Sequence, residues 1–151
     1  MTHEKARPYV NVALILKQNG KYLMSRRKNT GYYDGYYGLV SGHAETGESA
    51  TAAMCREAME EVGITFKPED LEVILIVHQR TNRENIDLFM LCHHWENPIT
   101  NLEPDKCDDL SFYTLENLPL NTIPHLVEAL MLIKKGVRYA EMGWEKENIL
   151  V

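Results

Sequence analysis

The 151-residue sequence predicts one α+β domain, a mixed β-sheet lying between helices. Three observations predict it. Several short stretches alternate apolar and polar residues with the period of strands, and two longer ones carry apolar residues at helical spacing. They occur in the order strands, helix, strands, helix, which suits an α+β chain better than a bundle or an all-β sandwich. The length fits a single domain spanning 1–151.

Residues 9–16 alternate around β-branched side chains and read as the first strand. Asn19-Gly20 is a strong hairpin signal, so 21–25 returns as the second. The polar, Gly-rich 26–35 reads as a loop, 36–40 as a short strand, and 41–47 as a loop bounded by glycines. A helix is expected over 48–62, with Ala50, Ala53, Met54 and Ala58 as its buried stripe and Gly63 ending it. Residues 71–78 and 86–95 are apolar enough for core strands, linked by the polar 79–85. An acidic loop follows over 97–109, then a short strand over 110–114. Thr122 is the N-cap candidate of a second helix, with Pro124 in its first turn and Leu126, Val127, Leu130 and Ile133 on one face. Lys134, Lys135 and Gly136 close it, and Tyr139, Met142 and Trp144 suggest a tail that straps the core or joins a homodimer.

Composition narrows the function classes. At 44% hydrophobic and 25% charged residues the chain is neither collagen-like nor disordered. No apolar run approaches the roughly 18 residues of a membrane span, and residues 1–5 carry no apolar leader. Three cysteines without a CxxC pair speak against a disulfide framework or zinc-thiolate site and for a reducing cytoplasm. With 16 basic against 22 acidic residues, a net of −6, no basic run marks a nucleic-acid polymer or anionic membrane as partner. An anionic substrate would therefore need a bound cation to attract it.

One segment supplies a place for such a cation. Glu57, Glu60 and Glu61 lie at i, i+3 and i+4, so three carboxylates share one helix face. Convergent oxygen ligands suit Mg²⁺ or Mn²⁺, and a solvated acidic face is the plain alternative. Arg56 stands at i−4 to Glu60 and offers relief of the repulsion.

The wider spacing is more specific. Gly42, Glu48, Arg56, Glu57, Glu60, Glu61 and Gly63, with apolar Ala58 and Ile64, match G-x5-E-x7-R-E-U-x-E-E-x-G-U at every position. Seven such identities arise by chance in on the order of one chain in a million. The segment resembles the Nudix box, and the flanking strands and closing helix extend the resemblance over nearly the whole chain. The resemblance implies an αβα sandwich with a loop-helix-loop motif at 42–64. It implies a hydrolase of phosphoanhydride bonds that cleaves a nucleoside diphosphate-linked small molecule with Mg²⁺ or Mn²⁺. By position, Glu57, Glu60 and Glu61 are the implied metal ligands, and one of Glu57 and Glu60 orients or deprotonates the attacking water. Ser41 falls where a backbone carbonyl often ligates metal. Gly42 and Gly63 are implied to permit turns at the helix ends, and Glu48 and Arg56 to pair and hold the loop.

Outside the box the resemblance is to MutT-like members. Glu103 matches a late loop glutamate that serves as an extra metal ligand or base, with Asp105, Asp108 and Asp109 as rivals. Arg27 resembles a phosphate-contacting arginine. Tyr32, Tyr33, Tyr36 and Tyr37 suit either stacking on a base or packing among themselves. Where many members read W-x-L-P-G-G, this chain has Tyr37-Gly38-Leu39-Val40-Ser41-Gly42. The markers of ADP-ribose and diadenosine polyphosphate hydrolases are missing around Gln79, Arg80 and Thr81. The expectation is therefore a nucleoside triphosphate pyrophosphohydrolase releasing a monophosphate. The alternatives are an ADP-sugar or ADP-ribose pyrophosphatase, a non-catalytic nucleotide-sensing module and, last, a diphosphate isomerase.

Overall fold

A computed structural model describes residues 3–144; Met1 and Thr2 of the polar opening stretch lie outside them. Strand β1 (Tyr9–Ile15) turns Val12 and Leu14 to one side and Ala13 and Ile15 to the other, and both sides meet apolar partners. A strand buried on both faces belongs in the middle of a sheet. β2 (Lys17–Gln18) and β3 (Lys21–Arg27) form the hairpin, with Asn19 and Gly20 at φ 54° and 75° as a tight primed turn requires. Arg26 and Arg27 thus belong to a strand, where the sequence suggested a loop. The chain around 107–109 pairs with β3 at Arg26 and Arg27, and that pairing carries β3 two residues further.

The expected strand over 36–40 splits into β4 (Tyr37–Gly38) and β5 (Val40–His43). Its second half overruns the expected loop over 41–47, because Ser41, Gly42 and His43 pair with Ala13, Val12 and Asn11 of β1. The rest of the main sheet comes from β6 (Leu71–Arg80), β7 (Glu84–Cys92) and β9 (Tyr139–Met142), in the order β5-β1-β7-β6-β9. Parallel β1–β7 and β6–β9 pairings alternate with antiparallel ones, so the sheet is mixed. β6 and β7 run almost to their turn, which shortens the expected link over 79–85 to residues 81–83. β7 stops at Cys92, short of Trp95. The tail is a sheet member: β9 pairs with β6, and Trp144 Nε1 donates to the His78 carbonyl at 3.0 Å. The smaller sheet centres on β3, flanked by β8 (Cys107–Tyr113) on one side and by β2 and β4 on the other. β8 begins three residues before the sequence suggested, inside the expected acidic loop.

Helix α1 (Ala50–Val62) covers one face of the main sheet. Its start is fixed by Ser49, whose side chain accepts the Ala52 N–H, so Glu48 precedes the helix. Its end is fixed by Gly63, which adopts φ 74° and returns its N–H to the Met59 carbonyl. Ala53, Met54, Ala58 and Val62 are buried against Val12, Leu14, Val40 and Met90. Small residues at 53 and 58 let the helix ride close to the sheet. Truncating Met54 to alanine would cost about 2–5 kcal/mol. Helix α2 (Pro124–Lys134) packs Leu126, Ala129 and Leu130 over Leu75, Val77 and Phe89 on the opposite face. Its N-cap is Ile123 rather than Thr122, because the Thr122 hydroxyl is spent on the Pro119 carbonyl at 2.7 Å. Helices on both faces of a mixed sheet make the αβα sandwich of an α+β domain that the resemblance implies.

Candidate active site

The acidic side of α1 meets the free edge of β5. An edge strand leaves alternate backbone groups without a sheet partner. Ser41 and His43 turn theirs outward. The Ser41 N–H donates to the Glu61 carboxyl, and the His43 carbonyl accepts from Arg56 Nη2 at 3.1 Å. In an antiparallel strand a residue's N–H and C=O point the same way, so the Ser41 carbonyl shares this edge.

Arg56 organises the segment before the helix. Its Nε and Nη2 donate to the two Glu48 carboxylate oxygens at 2.8 and 2.9 Å, and its Nη1 donates to Glu57 Oε1 at 2.8 Å. Glu60 Oε2 lies at 3.5 Å from the same nitrogen, on a side chain that is 51% exposed. The Glu48 carboxyl is held down at about 2, chiefly by the Arg56 hydrogen bonds and then by the Glu45 N–H. Gly42 does something other than make a turn: it sits inside β5, and a Cβ there would stand 2.2 Å from the Glu57 carboxyl carbon. The missing side chain is the space into which Glu57 folds. Gly63 combines its left-handed φ of 74° with a close approach of Leu102.

Glu57 and Glu61 lie within hydrogen-bond reach of each other. Burial raises the Glu61 pKa first, and the Glu57 and Glu103 carboxylates add to it against the Ser41 N–H. Glu61 Oε2 is buried with no hydrogen-bond partner. A solvated acidic face does not have that feature, so for Glu61 the plain alternative is set aside. Carboxylates crowded this way need a proton or a cation among them. An all-oxygen donor set fits a hard divalent ion. Among the described residues no three acidic, histidine or cysteine groups already close around one point. Glu57 and Glu61 form the pair, Glu103 faces it, and Glu60 flanks it beside Arg56.

Glu103 is carried there by backbone contacts. Thr100 and Leu102 donate their N–H groups to the Val62 and Glu61 carbonyls at 3.0 Å, docking the acidic loop on the end of α1. The rivals are engaged elsewhere. Asp108 binds Arg26 Nε at 2.6 Å, Asp109 accepts from the Tyr37 and Tyr113 hydroxyls and from Ser111, and Asp105 is an exposed residue whose carbonyl takes Asn29.

These groups border a cavity of about 920 Å³ that also reaches Arg27, Tyr32, Lys106 and His125. Arg27 Nε donates to the Tyr32 carbonyl at 2.6 Å, with the guanidinium over the Tyr32 ring. Tyr32, Tyr33 and Tyr36 are partly exposed and meet edge to face, whereas Tyr37 is buried. The His43 ring turns from the carboxylates to pack edge-on against Tyr9.

The cavity's opposite side was missed in the sequence. There Asn11, Asp87, Asn85 and Arg83 form a hydrogen-bonded polar cluster. The signal was present as single polar residues inside apolar strands, Val10-Asn11-Val12 and Ile86-Asp87-Leu88.

Comparison with known proteins gives the same reading. Residues 5–131 match the model of the NUDIX domain. The fold is similar to a MutT NUDIX hydrolase from Burkholderia pseudomallei, with TM-score 0.73 and 23% identity over 87% of this chain and 98% of that one. It is similar to a MutT protein from Methanosarcina mazei Go1, with TM-score 0.74 and 16% identity over 88% and 97%. An ADP-ribose pyrophosphatase from Streptococcus suis matches at TM-score 0.58 and 13% identity over 91% and 100%. A family match over most of the chain, on this fold, leads to one conclusion: the chain belongs to the NUDIX domain family.

Proposed function

We propose that the protein is a Mg²⁺- or Mn²⁺-dependent pyrophosphohydrolase of a nucleoside diphosphate-linked small molecule, with a nucleoside triphosphate as the leading substrate and a monophosphate as product. The buried, unpartnered Glu61 Oε2 beside Glu57, at the mouth of a nucleotide-sized cavity, carries this reading. Glu57, Glu60, Glu61 and the Ser41 carbonyl would hold the cation, with Glu103 completing the set. When bound, the cation neutralises the diphosphate and lowers the pKa of a bound water.

The chain's own groups do the rest. Arg56 fixes Glu57 at 2.8 Å, so that carboxylate is oriented before substrate arrives, and lies 3.5 Å from the more exposed Glu60. One of the two carboxylates accepts the proton as the water oxygen bonds to phosphorus. The anhydride P–O bond breaks, and its electron pair leaves on the bridging oxygen. Arg27 and Lys106 bring positive charge to the phosphate side of the cavity. Three unpaired cysteines, Cys92 and Cys107 buried and Cys55 half-buried, suit a reducing cytoplasm. Among the described residues no helix is long and apolar enough to cross a membrane.

The test is Mg²⁺-dependent monophosphate release from triphosphates, ADP-ribose, nucleotide sugars and dinucleoside polyphosphates, with Glu60→Gln beside the native protein. Cleavage of one class, lost in the variant, supports the reading. Nucleotide-induced thermal stabilisation without turnover replaces it with the sensing module.

A further inference from the structure

The cavity side opposite the carboxylates forms a built floor. Cross-strand register places His43, Asn11 and Asp87 in one row over β5, β1 and β7, on the sheet face opposite α1. Asn11 Nδ2 donates to Asp87 Oδ1 at 2.7 Å and to Asn85 Oδ1 at 3.4 Å, so both amide hydrogens are spent. Arg83 Nε donates to Asn85 Oδ1 at 2.9 Å, and the guanidinium lies 3.7 Å over the Tyr9 ring. The acceptors are left over. Among the described residues no donor reaches Asp87 Oδ2, and Asn11 Oδ1 is buried without a partner. A buried acceptor without a partner is costly, so its retention in a cavity wall needs a reason. The Asp87 carboxylate is itself half-buried, and burial raises its pKa against the opposing Asn11 hydrogen bond.

We infer that Asp87, backed by Asn11, is a specificity-determining residue that binds two adjacent hydrogen-bond donors on the moiety attached to the diphosphate. The inference rests on the hydrolase reading for what that moiety is attached to. Two common groups carry such a donor pair: the ring N–H and exocyclic amine of a guanine-type base, and the vicinal hydroxyls of a sugar. Adenine and cytosine would turn a ring acceptor toward the carboxylate, and uracil offers one N–H between two carbonyls. The placement suits the chemistry. His43 follows Ser41 by two residues along β5, about 7 Å, so a ligand held at the carboxylates reaches the floor with its next group.

The experiment measures binding by calorimetry, and kcat and KM separately, for native protein, Asp87→Asn and Asn11→Ala. One arm compares guanosine, inosine, adenosine and uridine nucleotides, inosine lacking the exocyclic amine. The other compares ADP-ribose with ADP and a UDP-sugar with UDP. The expected result is a preference for the donor-bearing ligand in one arm, which identifies the donor's source. Asp87→Asn then reduces that preference by about 10–100-fold, mainly through KM and Kd. Asn11→Ala reduces it in the same direction and serves if Asp87→Asn does not fold. Turnover with a preference unchanged in both variants overturns the floor as a specificity site and leaves the hydrolase standing. Donor-dependent binding lost in the variants, without turnover of any ligand, keeps the floor and overturns the hydrolase. Absence of donor preference in the native protein overturns the inference outright.

Discussion

The two sides of the cavity are built differently. The acidic wall comes from one stretch of chain, Ser41 to Glu61, with Glu103 docked on it through the Val62 and Glu61 carbonyls. The floor comes from β1, β5 and β7, with Arg83 reaching in from the turn before β7. The wall is crowded with like charge and contains an orphan carboxylate oxygen. The floor is a network in which both Asn11 amide hydrogens are consumed while Asn11 Oδ1 is left without a partner. The difference suggests a division of labour. Groups that must converge on one cation are held by a short rigid segment, whereas groups that choose the substrate sit on separate strands and vary independently.

The largest expected effect breaks the wall and spares the floor. Glu57→Gln and Glu60→Gln should each lower kcat, the true proton acceptor by about 10²–10⁴-fold, with little change in ligand preference. The separate kcat values tell the two apart, and the geometry sets the contest. Glu57 is clamped between Arg56 and Glu61, whereas Glu60 is half-exposed and freer to swing. A loss of preference with kcat preserved would reverse the proposed roles of wall and floor.

Gly42→Ala tests whether the wall depends on the space a missing side chain leaves. The new Cβ would stand 2.2 Å from the Glu57 carboxyl carbon, so the carboxylate must move. A displacement of about 1 Å can cost about 10²-fold in turnover. Full activity in this variant would show that Glu57 works from a different position.

This substitution also shows what was legible in the sequence and what was not. The helix, its cap at Gly63 and the three glutamates follow from spacing along one chain segment, and spacing is visible. The reason for Gly42 is a contact between a strand and a helix fifteen residues on, which composition does not reveal. β5 looked like a loop because Ser41, Gly42 and His43 carry no strand pattern, and pairing with β1 imposes it. Thr122 looked like a cap until its hydroxyl was seen on Pro119. Asn11 and Asp87 are 76 positions apart and meet only through parallel pairing, so no local pattern could join them.

Glu61→Gln sharpens the contrast in stability. It removes the need for a proton or a cation at the buried carboxyl and leaves a shape that still accepts from Ser41 and can donate to Glu57. Metal-free protein should melt about 2–4 °C higher, the shift of about 1 kcal/mol in a chain of this size. The rise in Tm that Mg²⁺ or Mn²⁺ gives the native protein should shrink. A lower metal-free Tm with an unchanged metal response would place the cation away from Glu61.

The smallest effect concerns the clamp behind the wall. The Glu48 carboxyl is held at about 2, below its ordinary 4.5, by Arg56 and then by the Glu45 N–H. A folded-state pKa below the unfolded one means that the unfolded chain binds the proton more readily. The clamp's contribution is therefore complete above about pH 4.5 and declines as the pH falls toward 2. The Arg56–Glu48 pair is partly open to solvent, at 27% and 18% side-chain exposure, so the contribution is small and weakened by salt. Glu48→Gln should lower Tm slightly at neutral pH and flatten its fall through that acid window. Native and Glu48→Gln curves that stay parallel through the window would mean that Arg56 takes its orientation from Glu57 and the His43 carbonyl, and that the wall stands without its outer brace.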